Sequence, residues 1–146
     1  MQPTAAGAAS PEPEGKIAIH FEDGIYGFED IKDFVLVERD NSRVIWSLCA
    51  AGGGFPSLIV VDPFVVMQDY RPQLTPQERQ ALGNPSDDEL CFFAVAVIRE
   101  NLADSVVNLK SPIVINMPAR RAKQIIMENS DYPVRCRLFG GAPKRR

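Results

Sequence analysis

A chain of 146 residues, 45% hydrophobic and 24% charged, is long enough for one core and too apolar to be disordered. Its net charge of −3 understates the acidity of its centre: residues 1–14 carry Glu12 and Glu14 and residues 140–146 carry Lys144, Arg145 and Arg146, which leaves −4 between them. That sign repels phosphate and argues against direct nucleic-acid binding, and the longest apolar run, residues 90–98, is less than half of the ~20 residues a membrane-spanning helix requires.

Taken in chain order, residues 1–14 (MQPTAAGAASPEPE) are rich in Ala, Pro, Gly and Ser and show no apolar periodicity, so a disordered tail is expected. They lack the basic start and apolar stretch of a secretory signal. Residues 15–139 then read as one unit dominated by short β-branched and aromatic runs. These are KIAIHF (16–21), FVLVER (34–39), VIWSLCA (44–50), SLIVVD (57–62), FVVMQD (64–69), LCFFAVAVIRE (90–100), SVVNLK (105–110), PIVINM (112–117), AKQIIME (122–128) and VRCRLF (134–139). Turn residues separate them: Asp23-Gly24, the glycines 52, 53 and 54, Asp62-Pro63, Ser111-Pro112 and Tyr132-Pro133. The first run alternates, with Ile17, Ile19 and Phe21 on one side and Ala18 and His20 on the other. One segment, TPQERQALGN (75–84), predicts a helix: Thr75 caps, Pro76 opens, Glu78 completes a capping box and Gly83 ends it. So many strands in so short a chain predict a mostly-β domain, a compact antiparallel barrel or sandwich with one or two short helices. The closing residues 140–146 (GGAPKRR) are expected to be a flexible basic tail.

Chemistry-bearing patterns are scarce. The single histidine, His20, has no second histidine or CxxC pair to make a metal site with, and an exposed or half-buried strand histidine is the expectation. Cys49, Cys91 and Cys136 are far apart, odd in number and set among apolar neighbours, which fits inert thiols in a reducing cytosol. Neither a GxSxG elbow nor a phosphate-binding glycine loop is present, and the glycines at 52–54 lie where a hairpin turn is expected. Two acidic clusters remain, Glu29, Asp30 and Asp33, and Asp87, Asp88 and Glu89. Both precede strands and read as solvated loops in preference to a carboxylate active site. The basic residues Arg120, Arg121 and Lys123 read as a solvated turn or a patch for an acidic partner. No catalytic centre and no cofactor or metal site is expected.

Four stretches carry a resemblance: DGIYGFEDIKDFVLVE (23–38), VVDPFVVMQDY (60–70), VVNLKSPIVIN (106–116) with the following KQIIM (123–127), and YPVRCRL (132–138). In order and spacing they resemble the flagellar assembly factor FliW family from about residue 16 to residue 139. NLKSPIVIN with KQIIM is the most specific element, and the GFED loop the second. The resemblance implies a cytoplasmic, non-enzymatic β-barrel-like protein, monomeric when free. It implies a chaperone-like protein that binds flagellin before export and binds the translational regulator CsrA, relieving repression of flagellin mRNA. A net-acidic core suits a basic RNA-binding partner. Two departures stand out: residues 1–14 lie outside the family pattern, and Arg71-Pro72 occupies a position where the family carries an acidic and then an aromatic residue.

Within the resembling segments, the candidate partner-binding residues are Glu22, Asp23, Ile25, Tyr26, Phe28, Glu29, Asp30, Asp69 and Tyr70. The carboxylates are the steering group, and Ile25, Tyr26, Phe28 and Tyr70 the apolar alternative. Phe28 also reads as a plug under its loop. Asn108, Pro112, Asn116 and Gln124 form the structural motif: Pro112 cannot donate to a ladder and should mark a bend, and the amides of Asn108 and Asn116 should satisfy backbone groups there in preference to facing a partner. Two rivals are a barrel enclosing an apolar ligand cavity, and an enzyme working through the acidic clusters with raised carboxyl pKa values.

Overall fold

The structure is a computed structural model, and it describes residues 16–39 and 43–138. The expected tails at 1–14 and 140–146 lie outside the described residues. Nine strands form one sheet: β1 (Lys16–Phe21), β2 (Asp33–Glu38), β3 (Ile45–Ala50), β4 (Ser57–Val61), β5 (Leu90–Val97), β6 (Val106–Val107), β7 (Ile113–Asn116), β8 (Arg121–Gln124) and β9 (Cys136–Arg137). Their order is β4-β3-β2-β1-β8-β7-β5-β6-β9, and a further pairing of β4 with β5 closes seven of them into a barrel. The long strand β5 makes this closure possible. Its first half pairs with β7, its second half with β4, and its end with β6. Strands β6 and β9 extend the sheet beside the barrel. Closure removes most of the edge that an open sheet of this size would expose.

The mostly-β expectation holds, but the barrel is mixed, because β1 and β8 run parallel through the pairs His20/Arg121 and Phe21/Ala122. Every other pairing is antiparallel. A second difference concerns residues 64–69, expected as a strand. Pro63–Val66 is a helical turn, α1, because Asp62 accepts a hydrogen bond from the Phe64 amide (2.9 Å) and Pro63 supplies a preset first helical residue. The expected helix is α2, Pro76–Ala81. Thr75 Oγ1 accepts from the Glu78 amide (3.0 Å), Glu78 Oε1 accepts from the Thr75 amide (2.8 Å), and Gly83 follows at φ +92°. The glycines at 52–54 do lie in the β3–β4 hairpin connection.

Two apolar clusters lie inside and outside the barrel and share β4, β5 and β7, using opposite faces of those strands. Inside the barrel lie Ile17, Ile19 and Phe21 of β1, Phe34 and Leu36 of β2, and Trp46 and Leu48 of β3. Leu58 and Val60, Cys91, Phe93 and Val95, Ile113 and Ile115, and Ala122 of β8 join them, with Ile25, Ile31 and Met117 from the loops. The alternate residues of β4, β5 and β7 (Ile59, Val61, Leu90, Phe92, Ala94, Ala96, Val114) face outward and are covered by Val66, Met67, Tyr70, Leu74, Leu82, Tyr132 and Leu138. On β1 the outward residues Lys16, Ala18 and His20 are exposed. The wall of the barrel is therefore thick on one side and a single layer on the other.

Candidate protein-interaction surface

The loop between β1 and β2 (residues 22–32) and the loop between β3 and β4 (residues 51–56) meet at one end of the barrel, on the thin side. The first is tied down residue by residue. Gly24 sits at φ +69°, and a Cβ there would stand 2.7 Å from the Glu29 backbone, so the loop closes on itself only with glycine at that position. Ile25, 3% exposed, drops into the interior beneath the loop. The Phe28 amide donates to the Ile25 carbonyl (2.6 Å), making a tight turn with Tyr26 and Gly27 at its tip. Glu29 Oε2 accepts from the Gly27 amide (3.1 Å).

The motif around Pro112 holds this loop from below. Gln124, almost buried on β8, accepts from the Tyr26 amide through Oε1 (3.0 Å) and donates through Nε2 to the Ser111 carbonyl (3.1 Å). Asn108 Oδ1 accepts from the amides of Lys110 (3.0 Å) and Ser111 (3.1 Å), folding the bend that leads into Pro112 and β7. Asn116, also buried, donates to the Leu82 carbonyl (2.6 Å) just after α2 and accepts weakly from Ala119. All three amides serve backbone groups, and Pro112 is buried at the bend.

The charges are less free than the sequence implies. Lys123 Nζ lies 2.8 Å from Asp23 Oδ2, and this hydrogen bond and charge hold the Asp23 carboxyl below its ordinary range. Hydrogen bonds from the loop backbone, Gly27 first, likewise lower the Glu29 carboxyl. Both directions are opposite to the raised values an acid catalyst in this loop would need. Arg121 donates to the Ala81 carbonyl at the end of α2 (3.0 Å), so it and Lys123 fasten the fold instead of forming a free basic patch. At the other acidic cluster, Asp87 pairs with Arg79 (3.0 Å), and Glu89 accepts from the Ser86 amide (2.9 Å) in a short 3₁₀ turn. His20 is half-exposed on the outer face, its Nδ1 2.8 Å from Asp33 Oδ1. The cysteines are free: Cys136 is buried, Cys91 and Cys49 half-buried, and burial pushes the thiols of Cys91 and Cys136 up.

Of the nine candidate partner-binding residues, Glu22, Asp23, Ile25, Tyr26, Phe28, Glu29 and Asp30 share this one loop. Ile25 is its plug, the role expected of Phe28, and its side chain presents nothing to a partner. Phe28 is half-buried and packs edge-on against Phe55 (5.5 Å). Asp69 and Tyr70 belong to the outer cover instead. Asp69 is exposed, but Tyr70 is 3% exposed, donates its hydroxyl to the Leu109 carbonyl (2.6 Å) and packs against Phe64 and Tyr132. Tyr70 is therefore a core residue of the outer cluster. The sequence reading missed Phe55, which is 79% exposed beside Phe28; the available signal was a large aromatic in a glycine-rich turn, where packing gives no reason for one. The interior shows the filled-core pattern, with Phe21, Phe34, Leu36, Leu48, Ile113 and Ile115 all fully buried, in place of the ligand-barrel alternative. Among the described residues no helix is long and apolar enough to cross a membrane, and no group of His, Cys, Asp and Glu is placed to hold a metal ion.

Comparison with known proteins agrees with this architecture. The family model described as FliW protein matches residues 2–138, so the tail expected to fall outside the family pattern lies almost wholly inside the match. The flagellar assembly factor FliW of Caldicellulosiruptor saccharolyticus is 33% identical over 121 residues, covering 83% of this chain and 79% of that protein. That of Thermotoga neapolitana is 36% identical over 113 residues, covering 77% and 76%. A crystal structure of the flagellar assembly factor FliW superposes with a TM-score of 0.79 at 27% identity, covering 85% of this chain and 86% of the other. The chain belongs to the FliW family of non-enzymatic flagellar assembly factors.

Proposed function

We propose that this assembly factor works in the cytoplasm by binding flagellin before its export and by binding the translational regulator CsrA, whose repression of flagellin mRNA it relieves. Competition between the two partners then couples flagellin synthesis to secretion. The observation that carries the reading is family membership across nearly the whole chain. The barrel end supports it: an acidic loop, pinned by Gly24, Ile25 and Gln124, offers a preformed surface that loses little entropy on binding. Glu22, Glu29 and Asp30 are its exposed steering charges, with Glu22 3.5 Å from His20 and Glu29 accepting from the Gly27 amide; Asp69 is a separate one, and Asp23 is engaged by Lys123. An RNA-binding regulator is expected to carry the complementary basic surface.

Purified components test this. Size-exclusion chromatography of the full chain with flagellin and, separately, with CsrA should give a complex in each case. Adding flagellin to the CsrA complex should release CsrA. Failure of both mixtures to form a complex would overturn the proposal, and a stable ternary complex would overturn the competition.

A further inference from the structure

At the same barrel end, Tyr26 is 56% exposed and Phe55 79% exposed, and half-buried Phe28 packs edge-on against Phe55. Exposed Glu22, Glu29 and Asp30 share the loop with Tyr26 and Phe28. An exposed apolar patch rimmed by polar groups marks an interaction surface. The combination here is more specific than that. An open ring face attracts an ammonium or guanidinium group, a neighbouring carboxylate pairs with it, and the aliphatic stem covers the ring. Phe28 shields one side of Phe55 and leaves the rest open, while Gln124 holds the Tyr26 backbone in place.

We propose that Tyr26, Phe28 and Phe55, framed by Glu22, Glu29 and Asp30, dock a cationic segment of a partner protein. In that segment lysine or arginine residues flank at least one apolar side chain. The apolar group seats on Phe55 and Tyr26, and the cations meet the carboxylates. A second copy of this chain fits less well, because it would bring like carboxylates together. The inference rests on the partner-binding reading of this loop and adds the chemistry of the anchor, with Phe55 as its centre.

The test titrates the full chain, labelled with ¹⁵N, with a short synthetic peptide of arginine and lysine containing one tryptophan. Amide shifts should concentrate in residues 22–32 and 51–56. Affinity should fall ~10-fold or more with Phe55→Ser, or when serine replaces the tryptophan, as removal of an aromatic anchor does at an interface centre. Phe55→Tyr should restore it, and the dispersion of the spectrum reports whether each variant is folded. Neutralising Glu29 and Asp30 together should weaken binding by roughly 3-fold or more and reduce its salt dependence. Equal affinity for the serine peptide would reduce the site to charge alone and overturn the proposal. So would shifts centred elsewhere, or peptide-independent shifts that grow with protein concentration and so identify a second copy as the occupant. The peptide stands in for neither flagellin nor the regulator, so a negative titration leaves the complexes proposed above to be judged on their own.

Discussion

The inner and outer apolar clusters share β4, β5 and β7 but are built by different rules. Inside the barrel, every second residue of β1, β2 and β3 points inward, and seven strands share the interior. The outer cluster has a sheet on one side only. Its lid is the chain between β4 and β5 together with residues 125–138, and it relies on caps, bends and a buried tyrosine hydroxyl more than on periodicity. The candidate docking loop belongs to the inner system, because Ile25 anchors it in the barrel interior. Asp69 and Tyr70 belong to the outer one. Residues that look alike in sequence, an aromatic beside a carboxylate in each case, thus have opposite roles.

The largest effect should come from emptying the interior. Phe34 is fully buried and meets Phe21 edge-on at 5.2 Å. Phe34→Ala should cost about 3–5 kcal/mol, read from urea unfolding. That is a large share of the stability of a domain this size. A loss under about 1 kcal/mol would mean the interior is loosely packed and would erase the distinction between the clusters.

Next is Gly24, where the inner system meets the loop between β1 and β2. Alanine there must adopt φ +69° and place Cβ against the Glu29 backbone. The loop must move, at about 1–3 kcal/mol. The disturbance should show in the amide resonances of residues 23–30 while the outer cluster stays unchanged. Unaltered loop resonances would show that the turn is not set by Gly24.

These two positions also show what sequence can and cannot carry. KIAIHF announces its inward face because period-two alternation is local, and the Thr75–Glu78 box announces α2 because capping is local too. Asp62-Pro63 is the same kind of local signal, yet the β-branched run after it points to a strand where the chain forms a helical turn. Whether Ile25 or Phe28 plugs the loop depends on how the turn closes over the barrel, which nothing within the segment states. Gln124 belongs to the KQIIM motif, yet its partners, the Tyr26 amide and the Ser111 carbonyl, lie on other elements. The burial of Tyr70 depends on Leu109 and Tyr132, far along the chain.

The outer cluster is probed by Tyr70→Phe, which keeps the ring and removes only the hydroxyl that bonds the Leu109 carbonyl. Burial already pushes that hydroxyl's pKa far up, so it stays a neutral donor across the usable range. Leaving the buried carbonyl unpaired should cost about 1–2 kcal/mol. Native-state hydrogen exchange should show the loss in amides of the outer cluster, such as those of Leu109 and Met127, before any change in Leu36 or Leu48. Equal acceleration everywhere would mean that the two clusters open as one unit.

The smallest effect belongs to the Lys123–Asp23 pair, which fastens the loop between β1 and β2 to β8. The folded Asp23 carboxyl lies below its ordinary 3.8, chiefly through the Lys123 hydrogen bond and charge, so its ionised form is favoured by folding. A depressed folded value contributes stability that is fully present above about pH 4 and is lost as pH falls through the folded value. The Asp23 side chain is 66% exposed, and solvent screening limits the pair to about 0.5 kcal/mol or less. Asp23→Asn should therefore destabilise slightly near pH 7 in low salt and less in high salt, and the difference should vanish once pH falls below the folded value of the carboxyl. Urea midpoints of both proteins across that range would converge at the acid end. Midpoints that differ by the same amount at every pH would assign the effect to the hydrogen bond and not to the charge, and Gln124 would remain as the polar tie between the loop and β8.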